Sequence, residues 1–296
     1  CINVMKKLKR KRNNMKILIG TVTAANKDYC WLDFKKQLTA LQELGHDVLI
    51  VDNSDKIVNR PPFKTIHYTK GVELRNKFFK INKQNKSKDN YLTIVTKDCM
   101  NILRDEFLKG DYTHLFILES DVFLDKDFKS LDRLVELNAD VANFTYPMKL
   151  KRNNGALSLC VQSTNTLGEA RMITPAESKT LLNQGVKVLN IDVHNDKTLT
   201  HCGYGCTLIK RKVLEKIEFK AIKTSNGMTP FPDSMFHTEV NQNNFHNVLD
   251  TDYIPYHCNI NNETEDYIKI IQIQNGTTRK QRRDAKRNNK KAQKRR

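Results

Sequence analysis

Two short apolar runs, Lys16–Val22 (KILIGTV) and Asp47–Val51 (DVLIV), constrain the fold more than any other feature of this chain. Each is rich in β-branched residues and too short for a core helix, so each reads as a strand buried on both faces. Between them Trp31–Leu44 carries Leu38, Leu41 and Leu44 at helical spacing, and Gly45 closes that helix. A strand, a helix and a strand in this order predict a parallel pair joined by a right-handed crossover. The pattern recurs downstream. Cys99, Leu103 and Phe107 mark one face of a helix that ends at Lys109-Gly110-Asp111, and Thr113–Leu118 (THLFIL) follows as a strand. Asp127–Asn138 is amphipathic through Phe128, Leu131 and Leu134, and Asp140–Phe144 is another strand. Thr174-Pro175-Ala176-Glu177 has the N-cap, first-turn proline and capping-box glutamate of a helix running to about Asn183. Val186–Ile191, Thr207–Ile209 and Asn247–Leu249 are weaker strands. Residues 55–90 are polar, with a short strand near Thr65–Tyr68 and an exposed loop at Asn82–Asn90. Alternating strands and helices predict the α/β class, with a mostly parallel, doubly wound, Rossmann-like sheet.

The net charge of +18 would suggest a nucleic-acid binder if it were spread over the fold. It is not. Residues 1–14 hold six basic side chains and no acid, and residues 277–296 hold eleven and one acid, Asp284. Setting both segments aside leaves 34 basic and 32 acidic residues, a nearly neutral body. Like-charged blocks bury too little apolar surface to fold, so residues 1–14 and 276–296 are expected to be disordered basic tails around one domain at 15–275. Their expected partners are nucleic acid or another acidic surface. No apolar run approaches the roughly 18–20 residues of a membrane span. The seven cysteines are scattered and odd in number, which is neither a disulfide framework nor a zinc pattern. A reducing cytoplasm, of a bacterium or an infected host cell, is the expected location.

Ligands of open α/β sheets bind beyond the carboxyl ends of the strands. Three such ends carry suitable residues: Thr21, Val22 and Thr23 on the first strand, Asp52 on the second, and Glu119-Ser120-Asp121 on the central one. Two carboxylates one residue apart at a strand end can approach one hard cation, which bridges phosphate oxygens. Mn²⁺ or Mg²⁺ there would neutralise charge on a departing diphosphate.

The stretch Asn101-Ile102-Leu103-Arg104 through Lys109-Gly110-Asp111-Tyr112, the apolar strand and Glu119-Ser120-Asp121 resembles the helix, turn, strand and DXD motif of the GT-A glycosyltransferases. These are the nucleotide-diphospho-sugar transferase superfamily, and the likeness is of the family-2 kind. Glu119 departs from the usual first Asp. The resemblance implies that Asn101 and Arg104 face the nucleotide with Thr21–Thr23, Asp52 and Ser120. Gly203-Tyr204-Gly205 is similar to the turn lining the acceptor pocket. Phe231-Pro232-Asp233-Ser234-Met235-Phe236, expected to be a Pro-flanked loop, is similar to the acceptor-side motif whose acid is the base of inverting members, which points to Asp233, with Glu239 as the fallback. Tyr256-His257 matches the closing segment whose histidine gives the metal a third ligand beside Glu119 and Asp121. The matches run in order over residues 15–260. The implied activity is metal-assisted transfer of a sugar from a UDP- or GDP-sugar to an acceptor hydroxyl, with inversion if Asp233 is the base. The Lys/Asn-rich composition also looks like transferases carried by phages or bacteria.

Three rivals stay open, one of them a folded but inactive scaffold, since Glu119 and the isolated Asp233 both depart from the family pattern. A nucleic-acid-binding protein acting through its tails accounts for the charge, although those tails contain no aromatic residue on which bases could stack. A nucleotidyltransferase shares the fold but places a Gly-rich, Arg-containing loop after the first strand, where Thr21–Tyr29 has neither residue. Deletion of residues 277–296 is expected to leave a soluble, cooperatively unfolding protein. Loss of the cooperative urea transition on truncation would show that this segment is structural.

Overall fold

The computed structural model describes residues 15–85, 91–149, 157–164, 170–172, 177, 180, 188–191, 199–221 and 232–258. Both basic segments lie outside the described residues, as does the helix expected from Thr174 apart from Glu177 and Thr180, which are helical. The first half runs β1 (Ile17–Thr23), a 3₁₀ turn (Ala25–Cys30), α1 (Trp31–Glu43), β2 (Asp47–Asp52), β3 (Lys64–His67), α2 (Gly71–Asn85), α3 (Tyr91–Lys109) and β4 (His114–Leu118). It continues through β5 (Val122–Phe123), α4 (Lys129–Leu137), β6 (Val141–Phe144) and β7 (Pro147–Lys149). Short strands follow: β8 (Leu157–Leu159), β9 (Val161–Thr164), β10 (Ala170–Met172), β11 (Val188–Asn190) and β12 (Leu199–Cys202). The last described elements are β13 (Cys206–Lys210), α5 (Arg211–Lys216), α6 (Pro232–Gln242), β14 (Asn247–Asp250) and β15 (Tyr256–His257).

One eight-stranded sheet in the order β11-β14-β6-β13-β4-β1-β2-β3 carries the fold. The β3, β2, β1 and β4 strands are mutually parallel, and β14 is parallel to β6. The exceptions are β13, antiparallel to both β4 and β6, and β11, antiparallel to β14 at the edge. Both faces are covered, as the continuous apolar runs require. Ile17, Ile19, Phe116 and Leu118 pack with Phe34, Leu38 and Leu41 of α1 and Leu131 and Leu134 of α4. The alternate residues Leu18, Leu115 and Ile117 pack with Cys99, Leu103 and Phe107 of α3 and Phe236 and Val240 of α6. This is the expected doubly wound α/β arrangement. Among the described residues no helix is long and apolar enough to cross a membrane.

Two expectations need correction. Gly71–Asn85 is a helix, running into the stretch expected to be a loop from Asn82. Its apolar stripe is faint because little of it is buried: Leu74 reaches the core while Phe79 is exposed. The helix through Cys99 runs from Tyr91 to Lys109. Asp233 lies not in a loop but in the first turn of α6, where Pro232 has the preorganised φ of a helix start.

Helix α3 crosses β1 at Gly20, where an added Cβ would stand 2.9 Å from Leu115 Cδ1 and 3.2 Å from Leu103 Cδ1. Both leucines are fully buried and cannot swing away. Gly20→Val is therefore expected to lower stability by about 1–3 kcal/mol, the usual cost of overpacking, read as a lower urea midpoint at unchanged slope. An unchanged midpoint would show that α3 can shift.

Candidate active site at the carboxyl edge of the sheet

Six of the eight strands end on one edge, and β13, being antiparallel, begins there. The turn after β4 is closed by the Val122 N–H donating to the Glu119 carbonyl (2.9 Å). Glu119 N–H donates to Gly205 O (2.8 Å), and Cys258 N–H donates to Asp121 O (2.7 Å). These bonds tie three distant segments together. Pairing of β5 with β15 sets His257 opposite Val122, next to Asp121. From α1, Gln37 grips β5 on both sides, donating to Val122 O (3.0 Å) and accepting from the Leu124 N–H (2.7 Å).

The result is a cluster in which ligand atoms of Glu119, Asp121 and His257 all lie within 4.8 Å of one another. Asp121 is 0% and His257 6% exposed. His257 Nε2 is 3.2 Å from Asp121 Oδ2, and its Nδ1 is 3.0 Å from the Pro147 carbonyl. A proton on Nδ1 shared with that carbonyl turns Nε2 toward the carboxylates, the orientation usual for metal-binding histidines. Tyr146 donates to Glu119 Oε2 (3.3 Å), Tyr29 donates to Asp121 Oδ2 (3.2 Å), and the Lys27 ammonium pairs with the same oxygen. Asp121 Oδ1 is buried without a hydrogen-bond partner. Buried polar atoms are nearly always partnered. An orphaned oxygen on a carboxylate that is clustered with a second carboxylate and an imidazole fits a divalent cation.

The charges are uneven. Burial pushes the Glu119 carboxyl up, and the neighbouring Asp121 charge pushes it the same way. Burial would also raise Asp121, but the hydrogen bond and charge of His257, and then Lys27, outweigh it and hold the carboxyl at about 2. His257 and Lys27 are in turn held above their ordinary values by the carboxylates, against their burial.

Gly203 and Gly205 are required by this packing. A Cβ on Gly205 would stand 2.7 Å from both Glu119 Cδ and the Tyr146 hydroxyl, and one on Gly203 would stand 2.5 Å from Cys160 Sγ. Tyr204 between them is buried against Phe219 and Phe236. The Gly-Tyr-Gly turn therefore forms the wall behind Glu119.

Beside the cluster lies a cleft of about 660 Å³ lined by the ends of β1, β2 and β4 and by α2 and α3. Of the residues singled out in the sequence, Val22, Thr23, Glu119, Ser120 and Asp121 line it. So do Asn53, Ser54 and the cations Lys27, Lys56 and Arg75, which the sequence reading missed. Arg75 comes from the weakly amphipathic helix α2, and the others sit in polar segments with no periodic signal. For Lys27, Asn53, Ser54 and Lys56, only their position just after a strand's carboxyl end could have singled them out. Arg75 pairs with Asp55 across the rim at 2.8 Å.

Other expected residues lie elsewhere. Thr21 donates to Leu118 O (2.9 Å) inside the sheet. Asp52 is buried beneath the cleft, accepting from Arg60 Nε (2.9 Å) and from the Ser54 N–H (2.9 Å), so it shapes the cleft's floor without lining it. Asn101 and Arg104 are not brought to the cleft. Asn101 exchanges two hydrogen bonds with the Phe219 backbone (2.9 and 3.0 Å), and Arg104 Nε donates to Leu214 O and Ile217 O (2.8 and 2.9 Å). Both clamp the segment after α5 to α3. Glu239 pairs with Lys220 at 2.6 Å, nearly two turns along α6 from Asp233.

Asp233 belongs to the site's surroundings. It accepts from the Ser234 N–H (2.7 Å) and senses the charge of Glu119. Burial chiefly, with Glu119 adding to it against the Ser234 bond, raises its carboxyl to about 6.

No family model matches this chain, and no curated protein does. Among solved structures, S. aureus TarS 1-349 is similar at 11% identity with a TM-score of 0.42, over 88% of this chain and 64% of that one. The same protein in complex with UDP-GlcNAc gives 11% and 0.36 over 88% and 65%. Core-mannan synthase A from Aspergillus fumigatus, in its Mn/GDP form, gives 10% and 0.31 over 76% and 64%. The chain thus spans less than two thirds of the length of each.

The raised carboxyl of Asp233 has a consequence for stability. A carboxyl whose folded value exceeds its unfolded one stabilises fully below about 4, and that contribution is lost as pH rises through about 6. Asp233→Asn keeps the oxygen that accepts from Ser234 and removes the charge. It is expected to stabilise the protein by about 2 kcal/mol at pH 8, discounted for partial exposure, with no gain near pH 4. Urea denaturation at the two pH values checks this, and equal effects at both would show that Asp233 is not strained when ionised.

Proposed function

We propose that the protein is a glycosyltransferase that moves a sugar from a nucleoside-diphosphate donor to an acceptor hydroxyl, assisted by a divalent cation held by Glu119, Asp121 and His257. The observation that carries this reading is the buried, unpartnered Oδ1 of Asp121 within the three-residue cluster, at the wall of the 660 Å³ cleft. Bound Mn²⁺ or Mg²⁺ supplies neutralisation of the charge that develops on a departing diphosphate. The chain's own residues do the rest. Thr23, Asn53, Ser54 and Ser120 offer polar groups to the nucleotide, and Lys56 and Arg75 offer positive charge to its phosphates. Gly203 and Gly205 let Tyr146 and Glu119 close the wall on the sugar side.

Asp233 is the proposed base. A carboxyl at about 6 is ionised at neutral pH yet basic enough to accept a proton from a hydroxyl under attack. As the acceptor oxygen bonds to the anomeric carbon, the bond from that carbon to the diphosphate oxygen breaks and its electron pair leaves with the diphosphate. The acceptor's proton passes to Asp233. This single displacement inverts the configuration. All six described cysteines are free thiols, in keeping with action in a reducing cytoplasm.

Mn²⁺ with UDP or GDP is expected to raise Tm more than either alone, since saturation a hundredfold above Kd adds about 2.7 kcal/mol. Asp121→Asn should abolish this joint effect and turnover together. Asp233→Asn should keep the joint effect while transfer falls by about 10²-fold or more, as for a group needed in the transition state. Equal stabilisation by nucleotide with and without a chelator would remove the cation from the reading, and normal transfer by Asp233→Asn would remove the base.

A further inference from the structure

The loop after β1 places a positive charge where the cation would compete with it. Lys27 Nζ pairs with Asp121, whose carboxylate is fully withdrawn from solvent, while the lysine side chain is 34% exposed and lines the cleft. The backbone of this loop is anchored on both sides of the lysine. Ala25 N–H donates to Ser54 Oγ (2.7 Å), and the Cys30 thiol lies 3.2 Å from Ser120 O. The side chain is the adjustable part: a compact charge on a four-carbon stem, able to swing without moving the loop. Within the cluster Lys27 and His257 face Glu119 and Asp121. A divalent cation on Asp121 would stand beside the Lys27 ammonium in a poorly screened setting, where like charges repel strongly. Lysine and metal cannot both keep that place. The open direction for a displaced ammonium is the cleft, which Lys56 and Arg75 also line and where the same reading puts a diphosphate.

We infer that Lys27 is an internal counter-ion that competes with the divalent cation for Asp121 and, once displaced, binds the donor's diphosphate. Metal then weakens the grip of Asp121 on Lys27, and nucleotide stabilises the displaced lysine, so each ligand favours the other. By linkage the coupling is reciprocal. The inference rests on the cation site proposed above and adds an ordered dependence between its two ligands.

Calorimetric titration of Mn²⁺ into the full chain, without and with UDP, tests it without any turnover. Lys27→Met keeps the length and removes the charge. It is expected to bind Mn²⁺ alone about tenfold more tightly than the parent, while UDP enhances its Mn²⁺ affinity several-fold less. Lys27→Gln should behave in the same way, so the result does not hang on how one replacement packs. Lys27→Arg, which keeps the charge, should follow the parent. Parental or weaker Mn²⁺ affinity in both neutral variants overturns the inference. Asp121→Asn separates the two levels: if it binds Mn²⁺ like the parent, the cation site itself is wrong, whereas its loss of Mn²⁺ with unchanged Lys27 variants sinks only the competition.

Discussion

Asp121 carries its charge where solvent does not reach, two residues from a second carboxylate, and the edge of the sheet is organised around that fact. Burying two such groups costs several kcal/mol each unless cations and hydrogen-bond donors face them. The chain brings those partners from far apart in sequence: Lys27 and Tyr29 from the loop after β1, Tyr146 after β6, and His257 from β15. None of these contacts is local. The cluster therefore exists only when the whole sheet is assembled, and its geometry is as firm as the strand pairing that delivers it.

The topology explains why the pieces meet. Parallel strands end on one edge, so the residues after β1, β2 and β4 converge there without further device. The antiparallel β13 contributes differently. Its first residue pairs with the last of β4, Cys206 with Leu118, so the segment before it lies on the same edge as the segment after β4. That juxtaposition presses Gly203 and Gly205 against Cys160, Tyr146 and Glu119, and only residues without a side chain fit. One reversed strand thus supplies the wall that an all-parallel sheet would leave open.

The sequence made the strands legible because burial on both faces produces uninterrupted apolar runs, as in β1, β2 and β4. It made Glu119 and Asp121 legible because a charged pair directly after such a run can only sit at the strand's end. What it did not disclose depends on tertiary contacts. A solvent-facing helix such as α2 leaves a weak period. Asn101 and Arg104 look like ligand contacts in one dimension, but in space the Asn101 amide and Arg104 Nε bond carbonyls and an amide of residues 214–219, more than a hundred residues away. Asp52 likewise ends a strand and yet spends its charge on Arg60, which lies only eight residues on. Lys27 is one lysine among many until the fold sets it against Asp121.

Asp121 and Asp233 are the same side chain at the same edge, and their surroundings drive them apart. Asp121 faces His257 and Lys27, whose bonds and charges overcome burial and keep it ionised down to about 2. Asp233 is also surrounded by protein, but it faces an amide donor and the negative Glu119 instead of a cation, and burial lifts it to about 6. A group held as an anion at every ordinary pH suits a permanent ligand for positive charge. A group that exchanges its proton near neutrality suits proton transfer. Divergent environments of this kind are how one site divides its carboxyls between two tasks. The divergence of the two carboxyls follows from which cations the fold delivers to each position, not from the identity of the residues.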